Sequence, residues 1–236
     1  MKIGGLQKVT LIDFPASIAA IVFVNGCNFV CPFCFNRDLV LDNLPTISQR
    51  SVLSFLKKRK KILDGVVITG GEPILQPDLE QFIRKAKRLG YKVKLDTNGA
   101  LPAIIQKLLK KNLLDYVALD IKAPLDEKYA PAIGLEEFEP KIIIESLKLL
   151  LRSKVPFELR TTVVPGIHDK KILAKMAKQL RKAVGRRKIP WFWQNFQPKN
   201  CLDPGFEKRK PYKKEKLEKF LKTAKRYYSN IELRKD

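Results

Sequence analysis

Three of the four cysteines of this 236-residue chain lie within eight positions of one another, directly after an apolar run. Cys27, Cys31 and Cys34 form the segment Cys-Asn-Phe-Val-Cys-Pro-Phe-Cys. Thiolates bind both iron–sulfur clusters and zinc. A [4Fe–4S] cluster has four irons, so three local thiolates would leave one iron open to an external ligand, as a catalytic metal site requires. The spacing therefore favours a cluster with one open coordination position.

A zinc site is the alternative interpretation of the same cysteines. It would need a fourth ligand, and Cys201 or His168, the only histidine of the chain, could supply one. Zinc modules usually present two separate pairs of ligands, which this sequence lacks. We therefore expect an iron–sulfur site rather than a zinc site.

Polar or glycine-rich segments follow several further predicted strands. They are residues 70–73 (Gly-Gly-Glu-Pro), 96–99 (Asp-Thr-Asn-Gly), 120–122 (Asp-Ile-Lys) and 163–166 (Val-Val-Pro-Gly). The carboxyl ends of parallel strands gather ligands and catalytic groups at one edge of an α/β sheet. Core packing does not require such segments at the same edge again and again. They therefore predict a shared pocket beside the cysteines.

Apolar strand-like runs alternate with amphipathic helical stretches along the chain. Strands are predicted at 19–24, 66–69, 92–96, 116–121, 156–164 and 191–196, with a short one at 231–233. Helices are predicted at 48–62, 77–89, 102–111, 140–152, 169–184 and 213–227, with Ser48 and Asp169 as caps. The alternation predicts an α/β fold with a parallel sheet, in one domain over residues 1–236. Six β/α units suit a partial (β/α)6 TIM barrel or an open doubly wound sheet. Residues 200–214, rich in proline, glycine and lysine, predict a surface loop.

Taken together, these motifs resemble the radical S-adenosylmethionine superfamily. The cysteine spacing with Phe33 before the last cysteine is similar to the superfamily's cluster loop, and residues 70–72 are similar to its GGE motif. The segments at 96–99, 120–122 and 163–166 resemble the subgroup that activates glycyl-radical enzymes, which includes pyruvate formate-lyase activase. The segment at 194–204 resembles one branch of the anaerobic ribonucleotide reductase activases. The partial barrel is the fold that this resemblance implies.

The resemblance also implies cofactors and residue roles. The cofactors are a [4Fe–4S] cluster on the three clustered cysteines, S-adenosylmethionine, and a monovalent cation beside the methionyl carboxylate. No catalytic residue is expected beyond the cluster. The cation would be held by Asp96, Thr97 and Asp120. The residues expected to bind S-adenosylmethionine are Phe33, Cys34, Phe35, Gly70, Gly71, Glu72, Asp96, Asn98, Asp120, Ile121 and Lys122.

One region departs from the activase pattern, and two further residues are expected to have no role at the site. The pattern has a histidine near the sixth strand, where this chain has residues 194–197 and no histidine; Asn195 or Gln197 could substitute for it. His168 is expected to face solvent just before the helix cap Asp169. Cys201 is expected to be an ordinary loop cysteine rather than a ligand.

The formal charge of +23 allows two interpretations. Charge runs such as 57–61, 186–188 and 208–210 suit exposed helix faces and loops of a lysine-rich surface. A nucleic-acid partner is less favoured, because no RNA-binding signature accompanies the charge. The N-terminal segment has no secretory signal, and the longest apolar run is too short to span a bilayer. A cytoplasmic protein with no membrane partner is expected.

The function expected from these features is activation of a partner enzyme. The chain would cleave S-adenosylmethionine reductively and generate a glycyl radical on a protein such as anaerobic ribonucleotide reductase. It would draw electrons from a low-potential donor such as flavodoxin or ferredoxin. The alternative within the superfamily is a 7-carboxy-7-deazaguanine synthase or an RNA-modifying enzyme, and the distant alternative is a zinc-binding nucleic-acid module.

Overall fold

The computed structural model describes residues 1–234, so the last two residues of the predicted domain lie outside it. Its eight strands follow chain order in one sheet. They are β1 (Ile3–Thr10), β2 (Ala19–Val24), β3 (Gly65–Gly70), β4 (Lys92–Thr97), β5 (Tyr116–Asp120), β6 (Phe157–Val163), β7 (Trp191–Asn195) and β8 (Ile231–Leu233). The strands from β2 onward pair in parallel wherever their register is defined. The predicted α/β fold with a mostly parallel sheet is confirmed.

The helices fall between the strands as the apolar periodicity predicts. They are α1 (Arg37–Val40), α2 (Gln49–Arg59), α3 (Leu79–Arg88), α4 (Pro102–Lys110), α5 (Tyr129–Ala132), α6 (Lys141–Arg152), α7 (Lys170–Val184) and α8 (Lys214–Ala224), with short 3-10 helices at Pro73–Leu75 and Pro204–Lys208. Both predicted caps are confirmed, because Ser48 accepts a hydrogen bond from Ser51 N and Asp169 accepts one from Ile172 N. Within residues 1–234, every helix is too short or too polar to cross a membrane.

Strand β1 was not predicted from the sequence. It pairs antiparallel with β2, with Leu6 opposite Val22. Its sequence has two glycines and polar residues in place of a regular apolar alternation, which hides it from a period-two search. Packing explains one of those glycines: a Cβ at Gly4 would lie 1.9 Å from Asn25 Oδ1.

The chain divides into two compact units, and the first contains the amino-terminal strands. It comprises residues 1–28, 38–118 and 153–156. Strand β3 is buried almost throughout, as its continuous apolar run predicts for a parallel strand. Helix α3 buries Leu79, Phe82, Ile83 and Ala86 on one face. These apolar faces hold the carboxyl ends of β2, β3 and β4 in a fixed register.

The second unit contains the carboxyl-terminal strands. Its described residues are 29–37, 119–152 and 157–234. Trp191 packs edge-to-face against Trp193 and Tyr228, and its indole nitrogen donates to Thr161 Oγ1 at 2.9 Å. Since a buried indole N–H needs an acceptor, this bond ties β7 to β6. The prediction of a single domain over the whole chain stays a prediction.

Candidate functional site

In the first unit, the glycine pair after β3 is packed against the backbone that leads to Cys27. A Cβ at Gly71 would lie 2.0 Å from Gly26 O, and one at Gly70 would lie 2.4 Å from Val24 N. Gly70 also has a φ of 117°, which side chains other than glycine rarely adopt. The amide of Glu72 donates to Gly26 O at 2.8 Å. The sequence predicts that these glycines bind a ligand. In the structure they pack against the start of residues 26–34, which we call the cysteine loop.

Glu72 is a buried tether between β3 and β4. Its side chain is 1% exposed. Oε1 accepts hydrogen bonds from Thr97 Oγ1 at 2.7 Å and from Ile74 N at 3.2 Å, and Oε2 accepts one from Asn98 N at 2.7 Å. A buried carboxylate is stabilised by such donors. Glu72 therefore fixes the conformation of the segment that follows β4.

Asn98 connects that segment to the cysteine loop. Its Nδ2 donates to Asn28 Oδ1 at 2.9 Å and lies 4.0 Å from Cys27 Sγ. Its Oδ1 accepts a hydrogen bond from Ala100 N at 2.9 Å. Hydrogen bonds to cluster sulfurs are one means by which proteins set a cluster's reduction potential. The amide is therefore placed to influence the Cys27 sulfur.

Asp96 and Thr97 have partners that the sequence analysis missed. Asp96 Oδ1 accepts a hydrogen bond from Lys94 Nζ at 2.8 Å, and Lys94 is fully buried. The Thr97 hydroxyl donates to Glu72 and accepts from Gly99 N at 3.1 Å. The spacing of Lys94 and Asp96 could have revealed their pair, because residues two apart on a strand share a face.

In the second unit, the cysteine loop is held by hydrogen bonds from two other segments. Cys34 N donates to Cys31 O at 3.0 Å, which places both cysteines on one turn. Leu202 N donates to Cys34 O at 2.9 Å and Asp203 N to Pro32 O at 3.0 Å, while Val30 N donates to a carbonyl of the segment after α5. The loop is thus held on two sides. Phe33 is buried, and Phe35 is 48% exposed.

The prediction of a surface loop at residues 200–214 is wrong for its first part. Cys201 is fully buried, its Sγ faces Gln197 O at 3.8 Å, and its amide donates to Glu207. Burial raises the pKa of the Cys201 thiol, as do the nearby Glu207 and Cys34. The next two residues carry the hydrogen bonds to the cysteine loop. The lysine- and proline-rich composition concealed this role because backbone amides do the bonding.

Asp120 lies at the end of β5 between two cationic side chains. Arg160 Nε donates to Oδ1 at 2.9 Å and Lys122 Nζ donates to Oδ2 at 2.8 Å. Burial alone would raise the pKa of Asp120, but the charges of Arg160 and Lys122 lower it to about 2. Burial opposes the charge on Lys122, yet the negative charge of Asp120, and of Cys31 and Cys34 when they are thiolates, raises its pKa well above the ordinary value. Lys122 is therefore a permanent cation beside two of the three clustered cysteines.

The protein surroundings of Cys34 oppose ionisation of its thiol. Burial raises the pKa of Cys34, against the lowering effects of the Asn36 amide and the Lys122 charge. All four cysteines are outside disulfides. Within residues 1–234, no three His, Cys, Asp or Glu side chains already converge as metal ligands. Cysteine thiols at this spacing are nevertheless the donors that an iron–sulfur cluster uses.

His168 is buried, and the expectation that it faces solvent is wrong. It is 1% exposed. Its Nδ1 accepts a hydrogen bond from Val164 N at 3.0 Å, so Nε2 carries the hydrogen and donates to Lys122 O at 3.1 Å. Burial lowers the pKa of His168 to about 4. The neutral imidazole therefore binds the backbone carbonyl of Lys122. Tyr129 Oη accepts the Lys122 amide hydrogen at 3.4 Å.

Two of the remaining predicted residues, Ile121 and Asn195, form contacts that stabilise the fold. Ile121 is fully buried, and its carbonyl accepts from Thr161 Oγ1 at 2.7 Å. Asn195 donates to Tyr212 O at 2.8 Å, which commits its amide to the loop before α8. Both contacts are made to other parts of the protein.

Comparison with known proteins identifies the class of enzyme. Residues 21–177 match the family model described as the radical SAM superfamily, and the chain belongs to this superfamily. The enzyme uses a [4Fe–4S] cluster and S-adenosylmethionine.

Two relatives align over nearly the whole chain. A protein of Methanocaldococcus jannaschii that is assigned by name as a glycyl-radical enzyme activating enzyme is 33% identical, over 98% of this chain and 95% of its own length. The pyruvate formate-lyase-activating enzyme of Clostridium pasteurianum is 27% identical, over 94% of this chain and 97% of its own.

A solved structure supports the fold alone. The crystal structure of Streptococcus suis SuiB bound to its precursor peptide SuiA matches 91% of this chain with a TM-score of 0.69 at 18% identity. This chain spans 48% of the SuiB chain.

Replacing Glu72 with glutamine should loosen the segment after β4. The amide would point an N–H at Asn98 N or Ile74 N, so one donor would lose its acceptor. We expect Glu72→Gln to lower the free energy of unfolding by about 2 kcal/mol in anaerobic urea titrations. The exposed Glu145→Gln on α6 is the matched control and should change it by less than about 0.5 kcal/mol. Equal losses in the two variants would contradict the tether.

The neutral state of His168 predicts acid sensitivity. Its pKa is near 4 in the fold and near 6.5 in the unfolded chain, so the unfolded chain binds an extra proton between these values. Stability is therefore lost as pH falls below about 6.5. Between about pH 7.5 and about pH 5.5 the loss from this group should be about 1 kcal/mol.

His168→Gln tests this directly, because glutamine can accept and donate as the ring does but does not titrate. Urea titrations at both pH values should show a smaller acid-induced loss in the variant than in the wild type. An identical loss in both proteins would assign the acid sensitivity to other groups.

Proposed function

We propose that this chain is an activating enzyme that generates a glycyl radical on a partner protein. When bound, the cluster supplies one electron to the sulfonium of S-adenosylmethionine, which yields methionine and a hydrogen-abstracting 5′-deoxyadenosyl radical. The single observation that carries the proposal is the cysteine loop, in which Cys31 and Cys34 share one turn beside the Lys122 ammonium. Full-length similarity to two activating enzymes supports it.

The chain's own residues would bind and orient the cofactors. Cys27, Cys31 and Cys34 would hold the cluster as thiolates, which the metal must stabilise because burial opposes ionisation of Cys34. The charged Lys122 ammonium would pair with the methionyl carboxylate, and His168 and Tyr129 fix the Lys122 backbone. Asn98 would set the position and potential of the cluster through Cys27.

The remaining residues would shape the pocket for S-adenosylmethionine. Phe33 and Phe35 would lie beside the adenine. The group that would contact or support the methionyl end comprises Gly70, Gly71, Glu72, Asp96, Asp120 and Ile121. Since the radical attacks nearly any C–H bond, exclusion of water and correct placement of the target would determine the product.

We propose an anaerobic ribonucleotide reductase as the partner. The support is the segment at 194–204, which resembles one branch of the reductase activases, and whose residues 202 and 203 hydrogen-bond to the cysteine loop. A cytoplasmic flavodoxin or ferredoxin would be the electron donor. The charge of +23 suits an acidic protein of either kind through electrostatic steering.

A cysteine series tests the cluster assignment. Alanine at position 27, 31 or 34 should reduce iron and sulfide content after anaerobic reconstitution and abolish release of 5′-deoxyadenosine. Cys201→Ala is the matched control, because Cys201 is buried near Cys34 but is not one of the proposed ligands. It should keep about four irons per chain and its cleavage activity. Loss of the cluster in Cys201→Ala would contradict an open iron.

Spin detection tests the partner. Reduced enzyme, S-adenosylmethionine and the reductase should give a glycyl doublet in the EPR spectrum of the reductase after anaerobic mixing. The Cys34→Ala enzyme should give none. A silent reductase, together with 5′-deoxyadenosine release stimulated by a pterin or by tRNA, would instead support the alternative of 7-deazaguanine or RNA modification.

A further inference from the structure

The three side chains that the family resemblance assigns to a monovalent cation are each engaged by groups of the protein. They are Asp96 and Thr97 in the first unit and Asp120 in the second. A monovalent cation is held by several oxygen ligands, and neighbouring positive charges oppose its binding.

The counter-ion of Asp96 is the side chain of Lys94. Lys94 Nζ lies 2.8 Å from Asp96 Oδ1, with the two side chains 0% and 7% exposed. A lysine is almost never fully buried unless it is paired, so this ammonium is held in place by the carboxylate. The ammonium also lies 5.9 Å from the ring centroid of Tyr116, close enough for a cation–π contribution. The pair has no net charge.

The Thr97 hydroxyl both donates and accepts a hydrogen bond within the protein. It gives its hydrogen to Glu72 Oε1 at 2.7 Å and accepts the amide hydrogen of Gly99 at 3.1 Å. A hydroxyl has one hydrogen and two lone pairs. Its hydrogen and one lone pair are therefore already used within the protein, which leaves one lone pair.

Asp120 has two counter-ions. Arg160 and Lys122 bond its two oxygens separately, at 2.9 and 2.8 Å. The three side chains together carry a net positive charge. A further cation at this carboxylate would be repelled by both neighbours.

We propose that Lys94 is a resident counter-ion that takes the place of a monovalent cation, so that this enzyme binds S-adenosylmethionine without sodium or potassium. The inference rests on the proposed function only in that S-adenosylmethionine is the ligand whose binding is measured. Lys94 acts through Asp96 and is a positioning residue. The ammonium supplies the charge that a bound metal ion would otherwise supply.

Salt exchange on the wild-type holoenzyme is the first test. Anaerobically reconstituted enzyme is dialysed into choline chloride, potassium chloride or sodium chloride at equal ionic strength. Affinity for S-adenosylmethionine by equilibrium dialysis should agree within about twofold across the three salts, and the melting temperature should be the same. A rise of fivefold or more in affinity with potassium or sodium would overturn the proposal.

Lys94→Met tests the role of the ammonium itself. Methionine keeps the apolar stem but leaves the Asp96 carboxylate without its counter-ion. The variant should acquire a potassium or sodium requirement, with affinity at least tenfold lower in choline and partly restored by the metal salt. Lys92→Met, at the exposed start of the same strand, is the matched control and should behave as wild type. A Lys94→Met enzyme that binds as well in choline as in potassium would also overturn the proposal.

Two further measurements keep the test decisive if Lys94→Met fails to fold. Lys94→Met combined with Asp96→Asn removes both charges and should fold with no response to potassium, whereas a potassium response would contradict the charge argument. Thallium(I) nitrate, a potassium mimic, should show no saturable NMR broadening with the wild-type enzyme. If the wild-type enzyme binds S-adenosylmethionine in none of the salts, the result contradicts the proposed function instead.

Discussion

The cysteine loop requires hydrogen-bond partners from other segments, because an irregular loop satisfies few of its own backbone groups. In the first unit, Gly26 O accepts the amide of Glu72, and the contact is too close for a side chain at Gly71. In the second unit, Leu202 and Asp203 donate to the backbone around Cys34. The glycine pair and the late loop are therefore explained by the shape of the cysteine loop, before any cofactor is considered.

Burial decides how each carboxylate of the strand-end motifs is used. Glu72 is satisfied by neutral donors, Asp96 by one ammonium and Asp120 by two cations. A carboxylate that is wholly or partly removed from water is kept ionised by such partners. Three acidic residues that look equivalent in sequence thus have three electrostatic roles. A motif match finds the residues, but the counter-ions determine whether a carboxylate can still bind a cation.

The sequence predicts the alternation of strands and helices, because the apolar pattern of elements such as α3 and β3 can be recognised from the local sequence alone. It also places the motif residues at strand ends. It does not predict the partners that come from distant segments, such as Arg160 for Asp120, forty positions away. His168 was misjudged because proximity to a helix cap indicates exposure, whereas its two ring nitrogens bridge backbone groups of separate segments. Lys94 was missed because a strand lysine normally points to water.

The uneven distribution of charge bears on how the proposed ligand would be bound. The Lys94–Asp96 pair is neutral, whereas Asp120 with Arg160 and Lys122 carries net positive charge beside the thiols of Cys31 and Cys34. The net positive charge at Lys122 would attract an anionic group such as a methionyl carboxylate, whereas the Lys94 ammonium compensates the charge of Asp96. Since His168 and Tyr129 hold the Lys122 backbone, that attraction needs little reorganisation of the chain. Under the proposed function, the Lys122 ammonium would position the carboxylate without an ion from solution.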